Sequence, residues 1–118
     1  MTSFNRGDVI LVRFPNSDFR TYKKRPALIV QSDYIQTGLL QKIVVPITSN
    51  LNRTGKTRIR IERDSPIGQQ MGLVVDSVIV VDNLATVLER EIDKEIGNCP
   101  LIGEINKALK IVFALKKE

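Results

Sequence analysis

Arg25-Pro26-Ala27-Leu28-Ile29-Val30-Gln31 and Gln41-Lys42-Ile43-Val44-Val45-Pro46-Ile47-Thr48 decide the fold. Each is an unbroken apolar run of strand length, the pattern of a strand covered on both faces. Between them, Ser32 to Leu40 contains Gly38, which supplies turn chemistry for an antiparallel hairpin. A turn centred at Gln36 and Thr37 sets Arg25 opposite Thr48, where cross-strand neighbours lie about 4.5–5.5 Å apart. A guanidinium and a hydroxyl then share one rim of the hairpin, beside Arg20-Thr21-Tyr22-Lys23-Lys24-Arg25, a basic stretch expected in the loop before the strand.

Working outward, Asp8-Val9-Ile10-Leu11-Val12-Arg13-Phe14 is β-branched and bounded by Gly7 and by Pro15-Asn16-Ser17, which predicts a first strand. Downstream, Thr57-Arg58-Ile59-Arg60-Ile61-Glu62 alternates, so its isoleucines point inward and Arg58, Arg60 and Glu62 share the outer face. Asp76 to Val81 and Ala85 to Leu88 are two further strand candidates. Pro100 suits a first helical turn, and Leu101, Ile102, Ile105, Ala108, Leu109, Val112 and Phe113 recur at helical spacing. Five or six short strands before a single helix predict one mainly β domain over residues 1–118, a small, strongly bent sheet or barrel.

Composition narrows the chemistry. A hydrophobic fraction of 42% with 26% charged residues sets the chain apart from disordered and membrane-embedded sequences. No apolar run approaches the roughly 18 residues of a membrane span. The start Met1-Thr2-Ser3-Phe4 has no secretory core, so a cytoplasmic location is expected. Cys99 is the one cysteine, which rules out an intramolecular disulfide and reads as a small buried hydrophobe. Histidine is absent, which removes histidine triads, the usual zinc sites and the two-histidine route to RNA cleavage. The net charge of +5 favours a polyanionic partner without naming it. A second basic stretch, Arg53 to Arg63, is also able to track phosphates or to form a plain solvated face.

RNA carries its own nucleophile, the 2′-hydroxyl, so a protein that cuts it must align that group, neutralise charge in the transition state and manage two proton transfers. Arg25 suits the charge work through its planar set of N–H donors. Thr48 suits a hydrogen bond to a non-bridging oxygen or to the nucleophile. An arginine is a poor base, so spacing alone leaves the proton carrier unassigned. A strand-end arginine paired with a surface carboxylate and a turn-forming threonine are the plain structural alternatives.

The ordered set Arg6-Gly7-Asp8-Val9, Arg25 to Gln31, Val45-Pro46-Ile47-Thr48-Ser49, Gly72-Leu73 and Asp76-Ser77-Val78-Ile79, ending in Ile96-Gly97 and the closing helix, resembles the MazF/PemK family of toxin endoribonucleases. The resemblance implies an SH3-like barrel with a C-terminal helix, acting as a homodimer. It also implies metal-independent and cofactor-free cleavage of single-stranded RNA at a short sequence, leaving a cyclic phosphate and a 5′-hydroxyl. The family's catalytic arginine and threonine fall on Arg25 and Thr48. RNA contacts are expected from Lys23, Lys24, Gln31 and Ser49, and from Asp82 and Asn83 after the Asp-Ser-Val-Ile strand. The first loop supplies Phe14, Ser17, Asp18 and Arg20, but departs from the family pattern: the usual glutamate is missing and Asp18 is its nearest replacement. A cognate antitoxin with an acidic, partly disordered tail is the implied protein partner. The competing readings are a non-catalytic RNA binder and a gyrase-targeting toxin on the same fold. The second is disfavoured by the ending Ala114-Leu115-Lys116-Lys117-Glu118 and the absence of tryptophan.

Overall fold

A computed structural model describes residues 3–15, 18 and 20–116. Seven strands are present among them: β1 (Asp8–Pro15), β2 (Tyr22–Ile29), β3 (Gln41–Thr48), β4 (Arg58–Ile61), β5 (Ser77–Val80), β6 (Ala85–Leu88) and β7 (Ile92–Asn98). Helix α1 (Pro66–Gln70) lies between β4 and β5, and α2 (Ile102–Phe113) follows β7. The mainly β architecture with a closing helix is therefore as expected, with two elements the sequence pattern did not announce, α1 and β7.

Every strand pairing is antiparallel, in the order β4-β5-β3-β2-β1-β7. Strand β3 carries the bend. Its first half pairs with β6, Gln41 opposite Leu88, and its far end with β5, Thr48 opposite Val78. No pairing joins β4 to β7 among the described residues, so hydrogen bonding leaves the sheet an open strip.

The continuous apolar runs are explained by two cores, one on each face of β1, β2 and β3. Val9, Leu28 and Val45 enter one cluster, while their neighbours Ile10, Ala27, Ile29 and Val44 enter the other. Because successive side chains of a strand point to opposite faces, covering both sides requires apolar residues at every position. Helix α2 covers the first face with buried Ile105 and Ala108, and Leu101 and Leu109 pack at its margin. The second face is closed by Val87, Ile92, Phe4, Phe14 and Ala85. Cys99 is buried in the first cluster, and burial pushes its thiol pKa up.

Several residues of the quoted motifs serve this frame. Arg6 donates from Nε to the Val30 carbonyl at 2.9 Å and from a terminal nitrogen to Asn106 of α2 at 2.6 Å, tying β2 to the helix. Gly72 and Gly97 let the turn after α1 press against β7. A Cβ on Gly72 would collide with the Ile96 backbone, and one on Gly97 with the backbone of Gln70 and Met71. Gly72 also has φ +74°, a region that favours glycine. This close approach fixes where residues 73–76 begin.

Candidate active site

Strands β2 and β3 pair as Ala27 with Pro46, Leu28 with Val45 and Ile29 with Val44. That is the register of a turn centred at Gln36 and Thr37, and carried two residues further it sets Arg25 opposite Thr48. Pro26, opposite Ile47 in that register, has no N–H to donate across the pair, which accounts for the end of the ladder there. The freed strand ends open into two cavities, and Arg25, Pro26, Ile47 and Thr48 line both.

The first cavity, about 410 Å³, is otherwise lined by Leu11, Lys23, Lys24, Ser49, Gly72, Leu73, Val74, Val75, Ser77, Lys94 and Ile96. The second, about 550 Å³, is otherwise lined by Phe14, Pro46, Arg53, Arg58, Val80, Asp82 and Asn83. Both fall within the roughly 300–1,000 Å³ of small-ligand sites. Arg25 is exposed and its side chain has no ion pair or hydrogen bond among the described residues, so its guanidinium is available to an anion. Thr48 Oγ1 accepts from the Asn50 N–H at 3.1 Å, which orients the hydroxyl and leaves its own hydrogen to donate.

Of the basic stretch preceding Arg25, expected to be a loop, only Arg20 and Thr21 lie outside a strand. Tyr22, Lys23 and Lys24 belong to β2, opposite Pro15, Phe14 and Arg13, because β1 runs far enough to template them. Lys24 meets Asp93 at 3.2 Å, whereas Lys23 and Lys94 have no carboxylate partner among the described residues. Tyr22 is exposed, with the Arg13 guanidinium 5.2 Å from its ring centroid, a cation–π contact that occupies one face of the ring.

Of the expected RNA contacts, the fold gathers Phe14, Lys23, Lys24, Ser49, Asp82 and Asn83 around Arg25 and Thr48. It does not bring Gln31, Asp18 or Arg20 to either cavity. Gln31 lies beyond the other end of β2, where its side-chain oxygen accepts from the Ile43 N–H at 3.0 Å and substitutes for a ladder bond. Asp18 caps its own loop, accepting from the N–H groups of Arg20 at 2.9 Å and Thr21 at 3.1 Å. The Arg20 N–H, followed by that of Thr21, holds the Asp18 carboxyl below its ordinary pKa. Ser17 lies outside the described residues.

Three cationic groups join the site beyond the expected contacts: Lys94 from β7, Arg58 from β4 and Arg53 from the loop before β4. Arg58 grips Asp82 with two hydrogen bonds, Nε to Oδ1 at 3.3 Å and a terminal nitrogen to Oδ2 at 3.0 Å, and also donates to the Thr54 carbonyl at 3.3 Å. That grip is the largest cause holding the Asp82 carboxyl below its ordinary range, with desolvation acting against it. Arg58 belongs to the second basic stretch, but its partner stands 24 residues away and carries no spacing signal.

Comparison with known proteins adds a family. The profile described as PemK-like, MazF-like toxin of type II toxin-antitoxin system matches residues 5–113. No curated protein matches the sequence closely enough to report. Among solved structures, the chain is similar to an endoribonuclease in complex with its cognate antitoxin from a mycobacterial species, at TM-score 0.72 and 21% identity, covering 98% of this chain and 100% of that one. The Mycobacterium tuberculosis toxin MazF-mt6 gives TM-score 0.72 and 22% identity, covering 93% and 99%. A MazE-MazF structure from Deinococcus radiodurans reaches TM-score 0.76 at 13% identity, covering 98% and 100%. At these identities the structural likeness bears on the fold. The profile match, which spans most of the chain, bears on descent.

Proposed function

This chain belongs to the family of PemK-like, MazF-like toxins of type II toxin-antitoxin systems, and on that premise we propose that it is an endoribonuclease that cuts single-stranded RNA at a short sequence without a metal. The observation that carries the reading is Arg25 and Thr48 emerging side by side where β2 and β3 stop pairing, on the wall shared by both cavities. A phosphate on that wall meets a guanidinium that no described residue pairs and an oriented hydroxyl donor.

In this mechanism Arg25 neutralises the charge that gathers on the non-bridging oxygens as the 2′-hydroxyl attacks phosphorus. Its planar donors match two of those oxygens at once. Thr48, its lone pair already engaged by the Asn50 N–H, donates to one oxygen and helps hold the phosphate in line with the attacking group. The bond to the 5′ oxygen breaks as the 2′ oxygen, giving its proton to solvent, bonds to phosphorus; the departing 5′ oxygen takes a proton from solvent, leaving a 2′,3′-cyclic phosphate and a 5′-hydroxyl. Lys23, Lys24 and Lys94 attract neighbouring phosphates. Asp82 and Asn83 contact the RNA from the second cavity.

The family premise extends to partners. A cognate antitoxin with an acidic tail competes for the same cationic cleft, which lets a cell carry such an enzyme in its cytoplasm. The active form is a homodimer, readable by light scattering. A long structured RNA incubated with the protein in EDTA, with the new 5′ ends mapped alongside Arg25→Ala, tests the reading. Discrete cuts sharing a short motif and lost in the variant are expected. No cuts by demonstrably folded protein would make it a binder, and cuts unaffected by Arg25→Ala would move the active site.

A further inference from the structure

The two cavities share the wall of Arg25 and Thr48 and differ beyond it. An RNA strand with its phosphate on that wall carries the nucleotides on either side into unlike surroundings. In the first cavity Leu11, Leu73, Val75 and Ile96 supply apolar surface and the lysines supply charge without direction. The second holds the aromatic ring of Phe14, the amide of Asn83, the guanidinium of Arg53, and a carboxylate, that of Asp82, fixed by the guanidinium of Arg58.

We propose that the second cavity reads a base beside the scissile phosphate, with Asp82 as the specificity-determining acceptor and Arg58 as its positioning residue, and that it selects adenine or cytosine over uracil and guanine. The inference rests on the cleavage reading above and adds the class of base. An ionised carboxylate only accepts hydrogen bonds, so it favours the exocyclic amino group of adenine or cytosine. The Asn83 amide, next in sequence, has N–H groups for the adjacent ring nitrogen, completing an acceptor-donor pair that both bases match. Uracil turns carbonyl oxygens toward the carboxylate. Guanine would bind a free carboxylate through two parallel N–H groups, but Arg58 already occupies that fork, with one donor on each oxygen at 3.3 and 3.0 Å. Its third bond, to the Thr54 carbonyl, keeps the guanidinium from swinging away. Phe14 gives the base a ring to stack on.

The test is cleavage of a random-sequence RNA library by the full chain, by Asp82→Asn and by Arg58→Gln, with 5′ ends sequenced and folding checked by circular dichroism. Adenine or cytosine should dominate one position bordering the cut. Asp82→Asn should reduce that preference about tenfold or more, the scale of one good base contact. Arg58→Gln, by freeing the carboxylate fork, should admit guanine there, a gain that a merely structural role would not produce. An unchanged motif in both folded variants would overturn the inference and leave the cleavage reading standing. Uracil or guanine dominating both bordering positions in the parent would overturn it even if neither variant folds. Failure of the folded parent to cut at all would remove the cleavage reading and this inference with it.

Discussion

The two basic stretches of this chain look alike in sequence and part company once folded. In Arg20 to Arg25, Lys23 and Arg25 have no ion-pair partner among the described residues, and only Lys24 meets a carboxylate. In Arg53 to Arg63, Arg58 is engaged by Asp82, and Arg63 by Asp64 and by the Val74 carbonyl at 3.0 Å. The first stretch sets its unpaired cations at or beside the wall shared by both cavities, while the second turns two of its arginines onto its own loops, brings Arg53 to the second cavity, and leaves Lys56 and Arg60 away from both. Charge counted along a sequence is therefore not charge available to a polyanion.

The difference should appear first in catalysis. Arg25→Ala is expected to slow cleavage by about 10²–10³, the effect of removing one preorganised oxyanion donor, with the circular dichroism spectrum unchanged. Single-turnover rates equal to the parent's would erase the distinction between the stretches. The next largest effect is on binding. Replacing Lys23 and Lys24 together by Ala should lower the slope of log affinity against log salt by up to ~1.4, at about 0.7 per cation on a single strand. Arg60, exposed on β4 and lining neither cavity, should leave the slope unchanged when replaced by Ala. A matching drop for Arg60→Ala would show that RNA runs over both stretches.

Smaller effects probe the inward-turned arginines. Arg63→Ala should cost about 1 kcal/mol or less in urea unfolding, since its contacts are exposed ones, and should slow cleavage far less than Arg25→Ala. The smallest is a pH effect. Arg58 lowers the Asp82 pKa in the folded chain relative to its ordinary value of 3.8. Such a shift stabilises the fold above the unfolded pKa and is lost as pH falls through the folded one. The stability difference between the parent and Asp82→Asn should therefore stay constant from neutral pH down to about 3.8 and shrink only below it. A step in that difference near neutrality would mean that Arg58 does not control this carboxylate.

What the sequence made legible followed local pattern. The double-faced runs of β2 and β3 announced a strand pair buried on both sides, and the register assumed from a turn at Gln36 and Thr37, which the loop length alone left open, is the one the strands adopt. Strand β7 was hidden because Ile92-Asp93-Lys94-Glu95-Ile96 does not alternate. It pairs with β1 through two register shifts and leaves Asp93, Lys94 and Glu95 exposed, so no single period survives. Helix α1 spans 5 residues, too few for a helical period, though Ser65 before Pro66 is a start signal and its hydroxyl does cap Gly68. Gln31 was read as an RNA contact from its place in a motif, but the ladder claims its side chain. Contacts such as Arg58 with Asp82 join strands distant in sequence, and only the fold brings them together.

The pairing of β1 with β7 has a further consequence, for the time at which the protein acquires its site. Asp8 lies opposite Asn98, and the first cavity takes Lys94 and Ile96 from the last strand and its floor from the turn wedged against Gly97. Pairings that span so much of the chain form late, because the intervening segment must be closed into a loop before any contact rewards it. During synthesis, a ribosome would thus carry Arg25 and Thr48 for many codons before the wall that completes their cleft exists. The cleft around Arg25 and Thr48 is complete only once residues 94–97 have been made and paired.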